Sequence, residues 1–199
     1  MGPRSFWALT VVALSACSRS SPDQATTTAP ESRASRVRED SPSLVASQRL
    51  AILRSHPSDY GISNPGKVWA VVVEVGGGFG KSNSTTTSLV DGYTWYFFTD
   101  GRGRFPRRGE EPPAANEASR KLCTVAVEFL SKTIPTTEFP GPKQGFWQFF
   151  IMTPEGVRYA TASEDSLMNG HELGKLFYAA FDVRDAWIQW SKGAGQASE

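Results

Sequence analysis

The stretch VWAVVVEV, Val68 to Val75, is a nearly continuous apolar run rich in β-branched residues. Such side chains fit a pleated surface, and a run that is apolar at both parities belongs to a strand covered on both faces. A central strand is therefore predicted here, broken by Gly76-Gly77-Gly78-Phe79-Gly80. Glu74 interrupts the pattern. Alternation puts it on the face of Ala70 and Val72, where an unpaired carboxylate is costly. It stands either at the solvent end of the strand or against a basic group such as Arg158. If it is buried with a raised pKa, it is the first residue to test for function.

Working outward, STTTSLV (Ser84 to Val90) and YTWYFF (Tyr93 to Phe98) flank the tight-turn pair Asp91-Gly92, which predicts a hairpin over 84–98. A Gly, Pro and Arg loop runs from Asp100 to Pro113. From Ala115 to Thr133, Ala118, Leu122, Val125, Ala126, Phe129 and Leu130 fall on one helical face until Pro135 stops it. GFWQFFIMT, the turn Pro154-Glu155-Gly156 and VRYATAS predict a second hairpin. A last amphipathic helix is predicted from about His171 to Ser191, with Leu173, Phe177, Ala180, Val183 and Trp187 inward. Upstream, Ser43 can cap a helix carrying Leu44, Val45, Leu50, Ile52 and Leu53, ended by His56-Pro57. The order α-β-β-β-α-β-β-α predicts an α+β fold: a mostly antiparallel sheet of about five strands with two or three packed helices.

At the start of the chain, Arg4 precedes an apolar run that begins at Phe6 and ends in Leu14-Ser15-Ala16-Cys17. Charge, short apolar core and small residues in that order are a secretory signal, too short to span a bilayer as a helix. The tetrapeptide resembles the lipobox of bacterial lipoproteins. That resemblance implies that the Cys17 sulfur takes a diacylglyceryl group, that the chain is cut before it, and that the new amino terminus is acylated. Each buried methylene contributes about 0.8 kcal/mol, so two or more acyl chains hold a domain firmly at a membrane. Residues 18–41 are rich in Ser, Thr, Arg and acids and bury too little to fold. As a flexible tether they would span roughly 25 to 30 Å. The expected plan is a signal peptide over 1–16, lipidated cysteine and disordered tether over 17–41, one α+β domain over 42–192, and a flexible tail over 193–199. The expected place is the cell membrane or outer membrane, with the domain outside the cytoplasm.

VWAVVVEV, SLVDGYTWYFF, FFIMTPEGVRYATA and GHELGKLFYA together resemble a group of uncharacterised bacterial proteins. In that group an apolar strand, an Asp-Gly hairpin, a helix and a Thr-x-x-Gly-Val hairpin follow one another. The resemblance covers about residues 57–190. It implies the domain boundary and no particular activity.

Lys and Arg number 21 against 20 Asp and Glu, so no whole-chain field points to nucleic acid, and no nucleic-acid partner is expected. Of two cysteines, the lipid would consume Cys17. Cys123, in LCTVAVEFL, is then unpaired and expected to be buried on a helix stripe. Gly80-Lys81-Ser82 follows a strand, but a phosphate-cradling loop needs glycine five positions before Gly80, where Val75 stands, and a helix after it, where SNSTTTSLV favours extended chain or loop. His56 and His171 are too far apart to show zinc spacing; neither metal nor cofactor is expected.

The segment SEDSLMNGHE is expected to bring Glu164, Asp165 and His171 into one loop, where acid–base work is conceivable. The structural alternative is a helix start, with Asn169 as cap and Glu172 in the first turn. Arg102, Arg104, Arg107 and Arg108 form a basic cluster that either touches anionic headgroups or is a solvated loop balanced by Glu110 and Glu111. Trp95, Tyr96, Phe97 and Phe98 are consecutive, as are Phe146 and Trp147, so both sheet faces need covering or one is a partner surface. The expected function is a membrane-anchored, non-catalytic module with a protein or envelope partner. The alternatives are an envelope hydrolase using residues 164–172 and an immunity or inhibitor lipoprotein presenting a loop such as Gly76 to Thr87. Oligomeric state is not read from these residues.

Overall fold

The computed structural model describes residues 41–77 and 82–196. The expected signal segment, Cys17, the tether up to residue 40 and the Gly80-Lys81 pair lie outside the described residues. The protein is α+β. In chain order it runs α1 (Ser41–Leu53), β1 (Ala70–Val75), β2 (Ser84–Leu89), β3 (Thr94–Phe98), β4 (Gly103–Arg104), α2 (Pro113–Ala126), β5 (Ile134–Thr136), β6 (Phe146–Thr153), β7 (Gly156–Ser163), α3 (Glu164–Met168) and α4 (Gly174–Gln196). The seven strands lie in the order β4-β3-β2-β1-β6-β7-β5 and every pair is antiparallel. Five of them are the predicted strands. The other two, β4 and β5, are short edge strands with no readable period.

VWAVVVEV is apolar throughout because β1 sits between β2 and β6 with a core on each side. Val71, Val73 and Val75 pack with Phe149, Ile151 and Trp147 under α2 and α4, where Leu122, Ala126, Phe177, Ala180, Val183 and Trp187 close the layer. Ala70 and Val72 face the other way, with Phe150, Met152, Trp95 and Phe97, beneath Ile52 and Leu53 of α1. The ring-rich sheet is therefore covered on both faces. On the α1 side, Tyr60, in a short 3-10 turn over Pro57–Tyr60, lies 6.0 Å from both Trp69 and Trp95. Fully burying each large apolar side chain is worth about 1.5–3 kcal/mol.

β2 is a predicted strand of unusual composition for its place, because Ser84, Thr85, Thr86, Thr87 and Ser88 are all buried. Its ladder to β1 and β3 satisfies the backbone, and Ser119 Oγ and Cys123 Sγ of α2 donate to the carbonyls of Leu89 and Ser88. The protruding loop expected over Gly76 to Thr87 is thus corrected: from Ser84 onward this segment is a central strand. At Asp91-Gly92, Gly92 takes φ +98°, the left-handed region that glycine enters without steric cost. A Cβ there would also meet Arg120 and Asn116 at 2.9 Å.

α2 ends at Ala126 and tightens into 3-10 turns over Val127–Lys132, short of the predicted Thr133. α4 begins at Gly174 rather than His171. Lys121 pairs with Asp182 at 2.7 Å and Lys175 with Glu128 at 2.6 Å, joining α4 to α2 and to the turns that follow α2. No helix among the described residues is long and apolar enough to cross a membrane.

Candidate functional site

Glu74 lies inside the sheet at 1% exposure, so the expected solvent-end position is corrected. Its partner is Arg49, one turn before Ile52 and Leu53 on α1: the guanidinium Nε and Nη2 donate to the two carboxylate oxygens, the second at 2.8 Å. Nη1 and Nη2 also donate to the carbonyls of Phe139 and Pro140, at 3.0 and 2.7 Å. Arg158 cannot serve, for a reason of parity. It is opposite Ile151 on the α2–α4 face, whereas Glu74 is opposite Gln148 and Thr85 on the α1 face. Arg158 bonds the Thr133 hydroxyl and carbonyl instead. Burial pushes the Glu74 carboxyl above its ordinary pKa, and Arg49 opposes that shift. Gln148, opposite Glu74 on β6, donates to the Gly141 carbonyl and the Tyr159 hydroxyl. This cluster fastens α1 and the 139–141 segment to the sheet, and its polar groups mostly serve one another.

Glu164, Asp165 and His171 are not brought together in one loop. Glu164 and Asp165 form the first turn of α3, which Ser163 caps by accepting the Ser166 N–H at 3.2 Å. Asn169 does not cap the last helix as expected: its amide donates to the Asp165 carbonyl and carboxylate, closing α3 from behind. His171 Nδ1 accepts the Leu173 N–H at 3.1 Å. Among the described residues no hydrogen bond or ion pair joins His171 to either acid. Glu172 stands 3.8 Å from Lys132.

The basic cluster is balanced by acids other than those expected. Arg102 pairs with Asp100 and Arg108 with Asp91. Glu110 takes only the Arg107 backbone N–H, and Glu111, which is buried, takes that of Gly109. Arg102 and Arg108 also lie 4.7 and 4.8 Å over the rings of Phe98 and Tyr93. After Ser82, whose hydroxyl donates to Asp100, the chain enters β2 rather than a helix, so a phosphate loop has no helix dipole to use here. Among the described residues no cluster of three His, Cys, Asp or Glu could hold a metal. Cys123 is buried as expected.

The arrangement that the sequence did not disclose is a cleft of about 390 Å³ between the β3–β4 edge and the last turns of α4. Tyr96 and Phe98 alternate onto this face of β3 with rings 5.0 Å apart, edge to face, while Trp187, Ile188 and Lys192 come from α4. Tyr96 is 6% and Trp187 2% exposed, and the Trp187 indole N–H has no hydrogen-bond partner. Ser84 is the hydrogen-bonding neighbour of the phenol and opposes the upward shift of its pKa. Burial raises the Tyr96 pKa, and the charges acting on it, Arg184 and Arg102, are both cationic. A larger groove, about 810 Å³, lies between the start of α2 and the end of α4. Its walls hold no buried polar side-chain atom without a partner. The aromatic run Trp95 to Phe98 was the one sequence signal pointing to the smaller cleft.

No protein-family model, curated protein or solved structure matches the chain.

Proposed function

We propose that this chain is a lipid-anchored lipoprotein of the bacterial envelope whose α+β module binds and does not catalyse. The observation that carries the reading is Leu14-Ser15-Ala16-Cys17, at the end of a short apolar run preceded by Arg4. Acylation at Cys17 would bring the module to a membrane that no described helix crosses. Binding is preferred to hydrolysis because Asp165 and His171 spend their side-chain hydrogen bonds on Asn169 and Leu173 within their own short segments. The β3–α4 cleft, by contrast, is an apolar hollow of about 390 Å³ walled by Tyr96, Phe98, Trp187 and Ile188, a size usual for small-molecule sites.

The test is metabolic labelling with an alkynyl fatty acid in a bacterial host. The wild-type chain takes the label and sediments with membranes, whereas Cys17→Ser loses both properties. Unchanged labelling or sedimentation of Cys17→Ser sinks the anchor.

A further inference from the structure

We infer that Asn169, at the exposed end of α3, is a site of spontaneous deamidation through a cyclic imide, with the backbone nitrogen of Gly170 as the attacking group and water as the co-reactant. The inference stands apart from the binding reading and gives the 164–172 segment a chemistry of another kind. Such a reaction needs a free N–H on the following residue, room for the side-chain amide to fold back onto it, and backbone outside a hydrogen-bonded helix or strand. Of the four asparagines in the chain, one meets all three conditions. Asn64 is followed by Pro65, which has no N–H. Asn83 is followed by Ser84, 3% exposed in the ladder between β1 and β3. Asn116 lies inside α2 with Glu117 after it, where backbone N–H groups are bound to the preceding turn. Asn169 and Gly170, by contrast, are both exposed. Asn169 has left helical geometry at φ −103°, ψ 38°, Gly170 takes φ +88°, and a Cβ at Gly170 would meet nothing within 4 Å. The Gly170 N–H donates no hydrogen bond among the described residues, whereas those of Gly92 and Gly101, which follow Asp91 and Asp100, donate to the Leu89 and Phe98 carbonyls.

Gly170 N, on losing its proton to solvent, attacks Cγ of Asn169. A C–N bond forms, the Cγ–Nδ2 bond breaks, and the amide nitrogen leaves as ammonia with a proton from water, closing the imide ring. Water then adds to either ring carbonyl and breaks one C–N bond. The product is aspartate at position 169, or isoaspartate, in which the chain runs through the former side-chain carbon. Either has an ionised carboxylate at neutral pH, an acceptor with no proton to donate. The Asn169 amide donates to the Asp165 carbonyl at 2.8 Å and to its carboxylate at 3.1 Å. Both bonds are lost on deamidation, and like charges spaced four residues apart at a helix end repel. α3 has five residues and one buried side chain, Leu167 at 1% exposure. Deamidation therefore loosens the end of α3 and adds a charge to a segment that already carries Glu164, Asp165 and Glu172.

The test incubates the full chain in warm, mildly alkaline buffer and follows it by peptide mass mapping and by methyl labelling with an isoaspartate-specific methyltransferase. The expected result is a time-dependent gain in mass, the difference between an OH and an NH2 group, in the peptide that holds Asn169. Methyl label should enter the same peptide and none should enter those holding Asn64, Asn83 and Asn116. Asn169→Gln, whose longer side chain disfavours ring closure, should lose the mass gain and the label at this position. Asn169→Asp should show the faster amide exchange at Leu167 to Gly170 that the aged wild type develops, with exchange in α4 unchanged. The inference is overturned if Asn169 stays intact in the folded chain while the same chain in urea deamidates there, or if another asparagine reacts first. It is overturned equally if Asn169→Gln gains label as fast as the wild type, or if Asn169→Asp leaves exchange in α3 at the wild-type rate.

Discussion

The guanidinium of Arg49 on α1 clasps both carboxylate oxygens of Glu74 in the central strand, 25 residues further along the chain. The carboxylate is buried and the guanidinium nearly so, with side-chain exposures of 1% and 15%. Breaking such a pair from one side strands a charge, at a cost of about 3–5 kcal/mol, whereas an apolar replacement of both partners is close to neutral. Arg49→Met should therefore lose that much stability in urea denaturation, and Arg49→Met with Glu74→Leu should recover most of it. Equal losses for the single and double variants would show that a stranded Glu74 carboxylate is not what Arg49→Met costs.

The contrast between that pair and the sequence reading shows what was legible. β1, the two hairpins, α2 and α4 were readable because their signals are local: β-branched runs, turn pairs and helical spacing. Arg49 was not, since only the docking of α1 brings it to Glu74, and the parity that rules out Arg158 needs the register of three strands. α3 was hidden because EDSLM looks like an acidic loop until Ser163 caps it. β4 and β5, two and three residues long, carry no period at all. The burial of β2 is not visible in its Ser and Thr content, because strands on both sides and α2 above produce it. The cleft needs Trp187 and Tyr96, 91 positions apart, to meet; each alone reads as ordinary core.

Gly76 is held by the segment that crosses the end of β1. Its N–H donates to the Phe146 carbonyl at 2.9 Å and its carbonyl accepts from Gly145 N at 2.8 Å. A Cβ here would sit 1.9 Å from the Lys143 carbonyl oxygen, which is backbone and cannot swing aside. Gly76→Ala should cost about 1–3 kcal/mol. It should also speed amide exchange at Gly145 and Phe146 ahead of the rest of β6. A wild-type melting temperature with unchanged exchange would show that the segment does not pack as described.

Asp100 accepts from Arg102 Nε at 2.9 Å, from the Arg102 backbone N–H at 3.1 Å and from Ser82 Oγ at 2.8 Å. The Arg102 guanidinium is the main reason its carboxyl is held at about 2 rather than 3.8. The folded-state value is depressed, so the stabilisation is present above pH 3.8 and is lost as pH falls toward 2. The pair is exposed, so the effect on stability is small and weakens with salt. Carboxyl-carbon NMR titration should find the low midpoint in the wild type and an upward move in Arg102→Gln. A wild-type midpoint at the ordinary value would remove the pair from the account.

Cys123 faces β2 from α2 at 1% exposure, its Sγ 3.5 Å from the Ser88 carbonyl. Burial pushes the thiol well above its ordinary pKa, and the neutral thiol is a poor nucleophile. Reaction with an aromatic disulfide reagent at pH 8 should therefore be limited by opening of the α2–β2 contact. The rate should be far below that of the same chain in denaturing urea, and it should rise in Arg49→Met if that substitution lowers global stability. Because the raised pKa belongs to the folded state, thiolate forms first in the unfolded chain, and stability should fall as pH climbs past 9.0, the ordinary value for this thiol. Immediate labelling of the native protein would show that this helix stripe opens without unfolding, and the core beneath α2 would then be looser than the packing of Leu122, Cys123 and Ala126 implies.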